Sequence, residues 1–135
     1  MSLEIAQHEQ ESVTVLALKG RITMSEVSPL RDKISQLVAA GHAQIVLDLG
    51  DVEYIDSTGL GSVVISFTQV QKAGGALKLA RLNKRNVELL ALTRLHTIFE
   101  VFADEIDAVN SFFPGREIKR FDILSFVQQR HEAES

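Results

Sequence analysis

Residues 45–80 read IVLDLGDVEYIDSTGLGSVVISFTQVQKAGGALKLA, and this stretch decides the fold. It opens with a short apolar run at 45–49, which is typical of a strand covered on both faces. An amphipathic helix is predicted from about residue 58 to residue 72, and the glycine pair at 74–75 ends it. A second apolar strand follows at 76–80. Strand, helix and strand with short connections form a βαβ unit, so the two strands should be parallel with a right-handed crossover.

The segment before this unit predicts two strands and a helix. Residues 3–7 and 13–18 have β-type patterns, and the polar link between them indicates a hairpin-like connection. A helix follows, with Ser25 and Ser28 as candidate N-caps and Gly41 at its end. The first strand should lie antiparallel at the edge of the sheet.

Downstream of the βαβ unit the sequence predicts two more helices and one short strand. Asn83 is the candidate N-cap of the first helix, residues 97–102 indicate the strand, and Asp104 is the candidate cap of the last helix. The last helix should turn three apolar residues inward, namely Ile106, Val109 and Phe113. The predicted fold is therefore α/β, a mixed sheet of four to five strands with packed helices, a βαβ core and an antiparallel N-terminal edge strand.

The chain divides into one domain, residues 1–113, and a C-terminal extension, residues 114–135, with Pro114 and Gly115 at the boundary. The extension is predicted as a helix, and an edge strand at 118–121 is the alternative. The 135 residues are 45% hydrophobic and 24% charged, which is ordinary for a globular protein. A chain of this length needs no disulfide or metal to fold.

Composition excludes several functions. The chain has no cysteine, which removes a disulfide framework and any thiolate metal site. Its formal net charge of −4 argues against a nucleic-acid partner, because such binding needs clustered Lys and Arg. The first ten residues are too polar for a signal peptide, and no stretch approaches the roughly 20 apolar residues of a membrane span. We expect a cytoplasmic protein with no membrane or nucleic-acid partner.

The informative motif is DVEYIDSTGLG at residues 51–61, which follows the first strand of the βαβ unit and opens its helix. Sites in open α/β sheets gather at such strand ends. Ser57 stands at the start of the helix, where its hydroxyl can cap free N–H groups or face outward. Gly59 and Gly61 keep the first turn bare, so that another surface can approach closely.

Ser57 has more than one candidate role. The motif of a nucleophile elbow, G-x-S-x-G, does not match, because Ile55 stands where the motif has its first glycine. A catalytic triad would need one of the scattered histidines, which are His8, His42, His96 and His131. Phosphate-binding loops and spaced metal ligands are absent from the sequence. The remaining interpretations are a plain helix cap and a phosphoryl acceptor, whose charge a helix N-terminus would stabilise.

Residues 56–61, with the glycine pair 74–75 after them, strongly resemble the STAS-domain anti-sigma-factor antagonists of bacteria. The resemblance extends to LKGRI at 18–22 and VLDL at 46–49, and it covers roughly residues 3–113. It implies that the unphosphorylated chain binds an anti-sigma factor that is also a serine kinase, and so frees the sigma factor. Phosphorylation by that kinase ends the interaction, and a metal-dependent serine phosphatase restores it.

By motif position, the resemblance implies phosphorylation at Ser57. It also implies a partner-binding surface formed by Asp56, Ser57, Thr58, Gly59, Leu60, Gly61, Gly20, Arg21 and Thr23. The family is regulatory, so we expect no enzymatic activity, no metal, no cofactor, and a monomer or weak homodimer.

Two residues depart from the family pattern. Arg21 stands where many antagonists have an acidic residue, and Thr23 stands where many have aspartate. Arg21 either holds the phosphate or is a solvated surface residue. Two other functions stay open: a constitutive STAS scaffold or adaptor subunit of a stress-sensing or transport complex, and a hydrolase with Ser57 as its nucleophile.

Overall fold

The computed structural model describes residues 3–134, with side chains described for residues 3–128. Its elements in chain order are β1 (Glu4–Gln10), β2 (Val13–Ile22), α1 (Ser28–Ala39), β3 (Gln44–Ile55), α2 (Ser57–Lys72), β4 (Ala76–Ala80), α3 (Lys84–Leu92), a short 3-10 helix (Leu95–Thr97), β5 (Val101–Phe102), α4 (Glu105–Asn110) and α5 (Ile123–Glu134).

The five strands form one sheet in the order β1-β2-β3-β4-β5. β1 pairs antiparallel with β2, and all other neighbouring strands are parallel. The predicted mixed α/β sheet, its βαβ core and its antiparallel N-terminal edge strand are confirmed. β2 and β3 are longer than predicted, because register shifts near Gly20 keep the two strands paired as far as Ile22 and Ile55.

Side chains of the central strands alternate between two cores, one on each face of the sheet. On one face, Leu16 and Leu47 lie in the main core with residues of α1, α2 and α3. On the other face, Val15 and Val46 lie in a smaller core against α4. Burial on both faces explains why the run at 45–49 is almost continuously apolar.

Two of the predicted helix caps are confirmed. The Asn83 side chain accepts a hydrogen bond from the N–H of Asn86 at 2.8 Å and caps α3. The Asp104 side chain accepts from the N–H of Asp107, also at 2.8 Å, and caps α4. Both caps stand one residue before their helices, where polar side chains satisfy first-turn N–H groups.

The predicted serine cap of α1 is wrong. Val27 occupies the N-cap position and no side chain caps the helix, so neither Ser25 nor Ser28 has this role. The reason is a turn ahead of the helix, in which the N–H of Glu26 donates to the carbonyl of Thr23 at 3.0 Å. That turn sets the entry into α1, and a buried valine takes the place of a polar cap.

The predicted strand at 97–102 is largely wrong. Only Val101–Phe102 forms a strand, because Leu95–Thr97 is a 3-10 helix. Local hydrogen bonding favours that turn, since the hydroxyl of Thr97 donates to the carbonyl of Arg94 at 2.7 Å. Arg94 itself has a left-handed backbone with φ of 61°, which reverses the chain at the end of α3.

The apolar face of α4 differs from the prediction at one position. Val109 is buried and Phe113 packs against the same core, as predicted. Ile106 is exposed to solvent, so its predicted inward orientation is wrong. The helix is only six residues long, and it is Ala108 that packs beside Val109 against the sheet.

The extension contains both a helix and a short strand-like contact. α5 is helical as predicted, and Ile123 at its start is buried in the main core. Before it, Arg120 forms an antiparallel bridge with Phe102, and the N–H of Phe121 donates to the carbonyl of Val101 at 2.9 Å. The extension therefore contacts the edge strand β5, although the division of the chain at residue 113 stays a prediction.

Candidate functional site

Asp56 joins the start of α2 to the loop that follows β2. Its Oδ1 atom accepts a hydrogen bond from the N–H of Gly59 at 2.7 Å, which makes Asp56 the N-cap of α2. Its Oδ2 atom accepts from the N–H of Met24 at 3.2 Å. Its own N–H donates to the carbonyl of Ile22 at 3.1 Å. These hydrogen bonds hold the β2–α1 loop beside the first turn of α2.

Ser57 is the first residue of α2, and its side chain is exposed. Because Asp56 caps the helix, the Ser57 hydroxyl is not needed for capping, and it makes no hydrogen bond within the described residues. Thr58 beside it is also exposed. The N-terminal end of a 16-residue helix favours negative charge. Ser57 can therefore carry a phosphate without displacing any packed group.

The two glycines of the motif differ in role. Gly59 is buried, and a Cβ built on it would lie 1.9 Å from the carbonyl oxygen of Ile22. The prediction that Gly59 keeps the outer surface bare is therefore wrong, because its small size lets α2 approach the end of β2. Gly61 is exposed with nothing within 4 Å of the same position, so it does leave a bare surface. Leu60 between them is buried in the main core.

The loop residues predicted to accompany the motif do come close to it. Arg21 and Thr23 line a cleft of about 270 Å³ together with Asp56. Thr23 is buried, and its Oγ1 lies 3.4 Å from the Oγ of Ser25. Gly20 lies at the register shift in β2 with φ of 119°, a conformation that side chains rarely adopt. Arg21, at the end of β2, thus presents a charged group to solvent beside this loop.

Sequence reasoning missed the contribution of α3 to the site. The side-chain amides of Asn83 and Asn86 donate to the carbonyl of Val52 at 2.9 and 3.1 Å. They hold the start of α3 against the end of β3. Tyr54 lies there with its ring near the guanidinium groups of Arg21 and Arg85. Its place inside the motif at 51–61, close to Asp56, was the available signal.

A second polar cluster lies on the opposite face of the sheet, centred on Asp48. This side chain is 2% exposed and accepts from the N–H of Gly50 at 2.9 Å and from Nη1 of Arg81 at 3.1 Å. Glu105 of α4 hydrogen-bonds to Asp48 and also contacts Nε2 of His8 at 3.2 Å. The cluster connects β1, β3, β4 and α4, and we interpret it as structural.

The two carboxyl groups of this cluster have opposite pKa shifts. Burial raises the pKa of Asp48, but hydrogen bonds from Glu105, Gly50 and Arg81 outweigh burial and lower it below its ordinary value. The hydrogen bond to Asp48, together with burial, raises the pKa of Glu105. The opposite shifts mean that Glu105 takes up a proton before Asp48 does as the pH falls.

Two general features of the described chain bear on function. Within residues 3–134, no helix is long and apolar enough to cross a membrane. Among those residues, no group of three or more His, Asp or Glu side chains is placed to hold a metal ion.

Comparison with known proteins adds independent evidence. The sequence model of the STAS domain family matches residues 4–108. The anti-sigma-B factor antagonist of Bacillus subtilis is 35% identical over 103 residues, which are 76% of this chain and 94% of that protein.

Solved structures show the same fold. An anti-sigma factor antagonist from Mycobacterium paratuberculosis superposes with a TM-score of 0.73 at 23% identity, covering 81% of this chain and 92% of that chain. The Bacillus cell fate determinant SpoIIAA in its phosphorylated form superposes with a TM-score of 0.64 at 19% identity, covering 81% and 99%. The family match over most of the chain and the 35% identity to the Bacillus subtilis relative establish that this chain belongs to the STAS domain family.

Proposed function

We propose that this chain is a cytoplasmic anti-sigma-factor antagonist, a binding protein rather than an enzyme, and that phosphorylation of Ser57 switches it off. The proposal rests on the observation that Asp56 and Ser57 have different roles at the start of α2. Asp56 supplies the cap, and Ser57 presents a free hydroxyl to solvent at the end of the helix that best tolerates an anion. The name of the Bacillus subtilis relative supports antagonism of an anti-sigma factor.

In the proposed cycle, the unphosphorylated chain binds an anti-sigma factor that is also a serine kinase, and the sigma factor is released. The exposed residues Ser57, Thr58 and Gly61 form the centre of the docking surface, and Arg21 lies at its edge. The buried residues Gly59, Leu60 and Thr23 act by positioning this surface. Asp56 has the same positioning role.

The switching step is a phosphoryl transfer. The Ser57 Oγ attacks the γ-phosphorus of ATP bound to the kinase, its hydroxyl proton leaves, and ADP departs. The product carries about −1.5 to −2 added charges where the partner was docked. New bulk and charge block docking, while the fold stays intact because the Ser57 side chain is exposed. A metal-dependent serine phosphatase hydrolyses the phosphoserine with water and restores the docking surface.

The experiment is intact-mass analysis after incubation with ATP and the anti-sigma kinase encoded in the same genome. Wild type should gain one phosphate, and Ser57→Ala should gain none. Thr68→Ala is the control, because it removes an exposed hydroxyl on the same helix about three turns away from the docking surface, and it should still be modified. If the kinase binds the chain but no phosphate appears, a constitutive scaffold becomes the better account. If the kinase neither binds nor modifies the chain, the proposed antagonism is wrong.

A further inference from the structure

Three side chains from separate elements form a fixed patch beside the switch. The Arg21 guanidinium, at the end of β2, lies 5.8 Å from the ring centre of Tyr54 at the end of β3. The Arg85 guanidinium, in the first turn of α3, lies 5.4 Å from the same ring. Contacts of this kind are worth about 0.5–1 kcal/mol each at exposed sites. The ring therefore restrains two long side chains that would otherwise move freely. We call Arg21, Tyr54 and Arg85 the basic patch.

The two guanidinium groups of the basic patch keep their hydrogen-bond donors available. Within the described residues, neither group donates a hydrogen bond to a protein acceptor, although Nη2 of Arg21 forms an ion pair with Oε1 of Glu26 at 3.8 Å.

Three other arginines of this chain form hydrogen bonds within the fold. Arg81, Arg116 and Arg120 each donate to a carboxylate of the chain itself, at 3.1, 2.8 and 3.0 Å. The N–H groups of Arg21 and Arg85 therefore remain available as hydrogen-bond donors to a partner, and the forked geometry of guanidinium suits carboxylates.

The basic patch adjoins the switch on one side and exposed apolar groups on both sides. The cleft that holds Asp56 is lined by Arg21 and Tyr54, and it also includes Met24, which is 72% exposed. On the other side, Tyr54 and Arg85 line a groove with Leu92 of α3, which is 84% exposed. Arginine and tyrosine beside exposed apolar groups are typical of protein–protein hot spots.

We propose that the basic patch is the specificity-determining part of the docking surface, and that it binds an acidic segment of the partner protein. Carboxylates of that segment accept hydrogen bonds from Arg21 and Arg85, and apolar side chains of the partner pack on Met24 and Leu92. The identity of the partner as an anti-sigma kinase rests on the proposed function. The acidic character of the segment rests on the basic patch alone.

This arrangement also explains how one phosphate ends binding. A phosphate on Ser57, directly after Asp56, adds negative charge beside the place where the acidic segment docks. It repels the partner's carboxylates and offers Arg21 a competing anion within the same protein. A switch that relied on bulk alone would show little dependence on salt, whereas this one weakens as ionic strength rises.

The test begins with a probe that does not depend on the kinase. Hexaglutamate is titrated into ¹⁵N-labelled protein, with hexalysine as the charge control, and amide shifts are followed by NMR. Hexaglutamate should shift the amides of Arg21, Tyr54 and Arg85, and Arg21→Gln with Arg85→Gln should abolish the shifts. The control variant Lys72→Gln with Lys119→Gln, which removes two exposed lysines elsewhere, should keep them. Shifts that are absent, or that centre outside the basic patch, overturn the proposal.

The Kd of the same variants for the anti-sigma kinase is then measured. Arg21→Gln with Arg85→Gln should raise Kd at least about tenfold, and the lysine control should leave it within about twofold. An unchanged Kd in the arginine variant would overturn this inference while leaving the proposed function standing. A third outcome is that hexaglutamate shifts the amides of the basic patch but wild type does not bind the kinase. The partner would then be acidic, but it would not be the kinase.

Discussion

Gly59 lies so close to Ile22 that a Cβ on the glycine would stand 1.9 Å from the isoleucine's carbonyl oxygen. The same carbonyl accepts the hydrogen bond from the N–H of Asp56 at 3.1 Å. The first turn of α2 is therefore seated directly on the end of β2. This contact fixes the start of α2, where Ser57 lies, against the end of β2.

Gly59→Ala and Gly61→Ala should have opposite effects on stability. The methyl group at 59 must displace the backbone of β2, so the free energy of unfolding should fall by more than about 2 kcal/mol. At 61 the added methyl group meets open space, and replacing glycine inside a helix should raise stability by about 0.5–1 kcal/mol. Urea unfolding followed by circular dichroism measures both. Equal destabilisation by the two substitutions would show that the contact with Ile22 is not the constraint.

Asp56→Ala should destabilise the protein by about 1 kcal/mol, because the N-cap of α2 is lost together with the link to Met24. Asp56→Asn keeps a side-chain oxygen that can accept from the N–H of Gly59, so its loss should be smaller. Thr58→Ala, which removes no cap, serves as the control. Thermal unfolding of the three variants ranks their losses of stability. A loss of stability in Thr58→Ala as large as that in Asp56→Ala would contradict the capping role of Asp56.

Glu105→Gln should become more stable relative to wild type as the pH rises above 4.5, the ordinary pKa of glutamate. The pKa of Glu105 is raised above its ordinary value of 4.5 by the hydrogen bond to Asp48, so its stabilising contribution is present at low pH. That contribution is lost as pH rises through the raised pKa. Glutamine keeps a hydrogen-bond donor for Asp48 and does not titrate.

The pKa of Asp48 is lowered, so its contribution runs the other way and is lost as pH falls below its ordinary value of 3.8. Urea unfolding of wild type and Glu105→Gln at several pH values separates the two groups. Ile106→Ala, an exposed residue of the same helix that does not titrate, is the control, and its stability should run parallel to that of wild type with pH. A difference between Glu105→Gln and wild type that stays constant with pH would rule out the raised pKa of Glu105.

Ile123→Ala and Leu124→Ala, neighbours in sequence, should differ strongly. Ile123 is 5% exposed and lies in the main core, so its truncation should cost about 2–4 kcal/mol. Leu124 is 60% exposed, and its truncation should change stability by less than about 0.5 kcal/mol. Chemical denaturation measures the pair. If neither substitution changed the free energy of unfolding, α5 would not be part of the folded unit.

The order of elements could be predicted because it depends on local patterns. The apolar runs at 45–49 and 76–80, separated by one helical stretch and a glycine pair, leave little choice but a βαβ unit. Asn83 and Asp104 were found as caps because each stands directly before its own helix.

The rest depended on contacts between distant parts of the chain. The role of Gly59 is set by the approach of α2 to Ile22, which no local pattern encodes. The basic patch joins three elements, and no sequence pattern indicates that Arg85 lies beside Arg21 and Tyr54. The position of Ser57 at the start of α2 could be predicted because its motif is contiguous in sequence.

The central claim is that phosphate on Ser57 ends partner binding, and one titration tests it most directly. Unmodified and stoichiometrically phosphorylated protein are titrated by calorimetry into the anti-sigma kinase with ADP bound. We predict tight binding of the unmodified form and a Kd at least about 100-fold weaker for the phosphorylated form, since charge is then buried against a carboxylate-bearing surface. Equal Kd values for the two forms would contradict the account, and Ser57 would then be only a surface residue on a STAS domain.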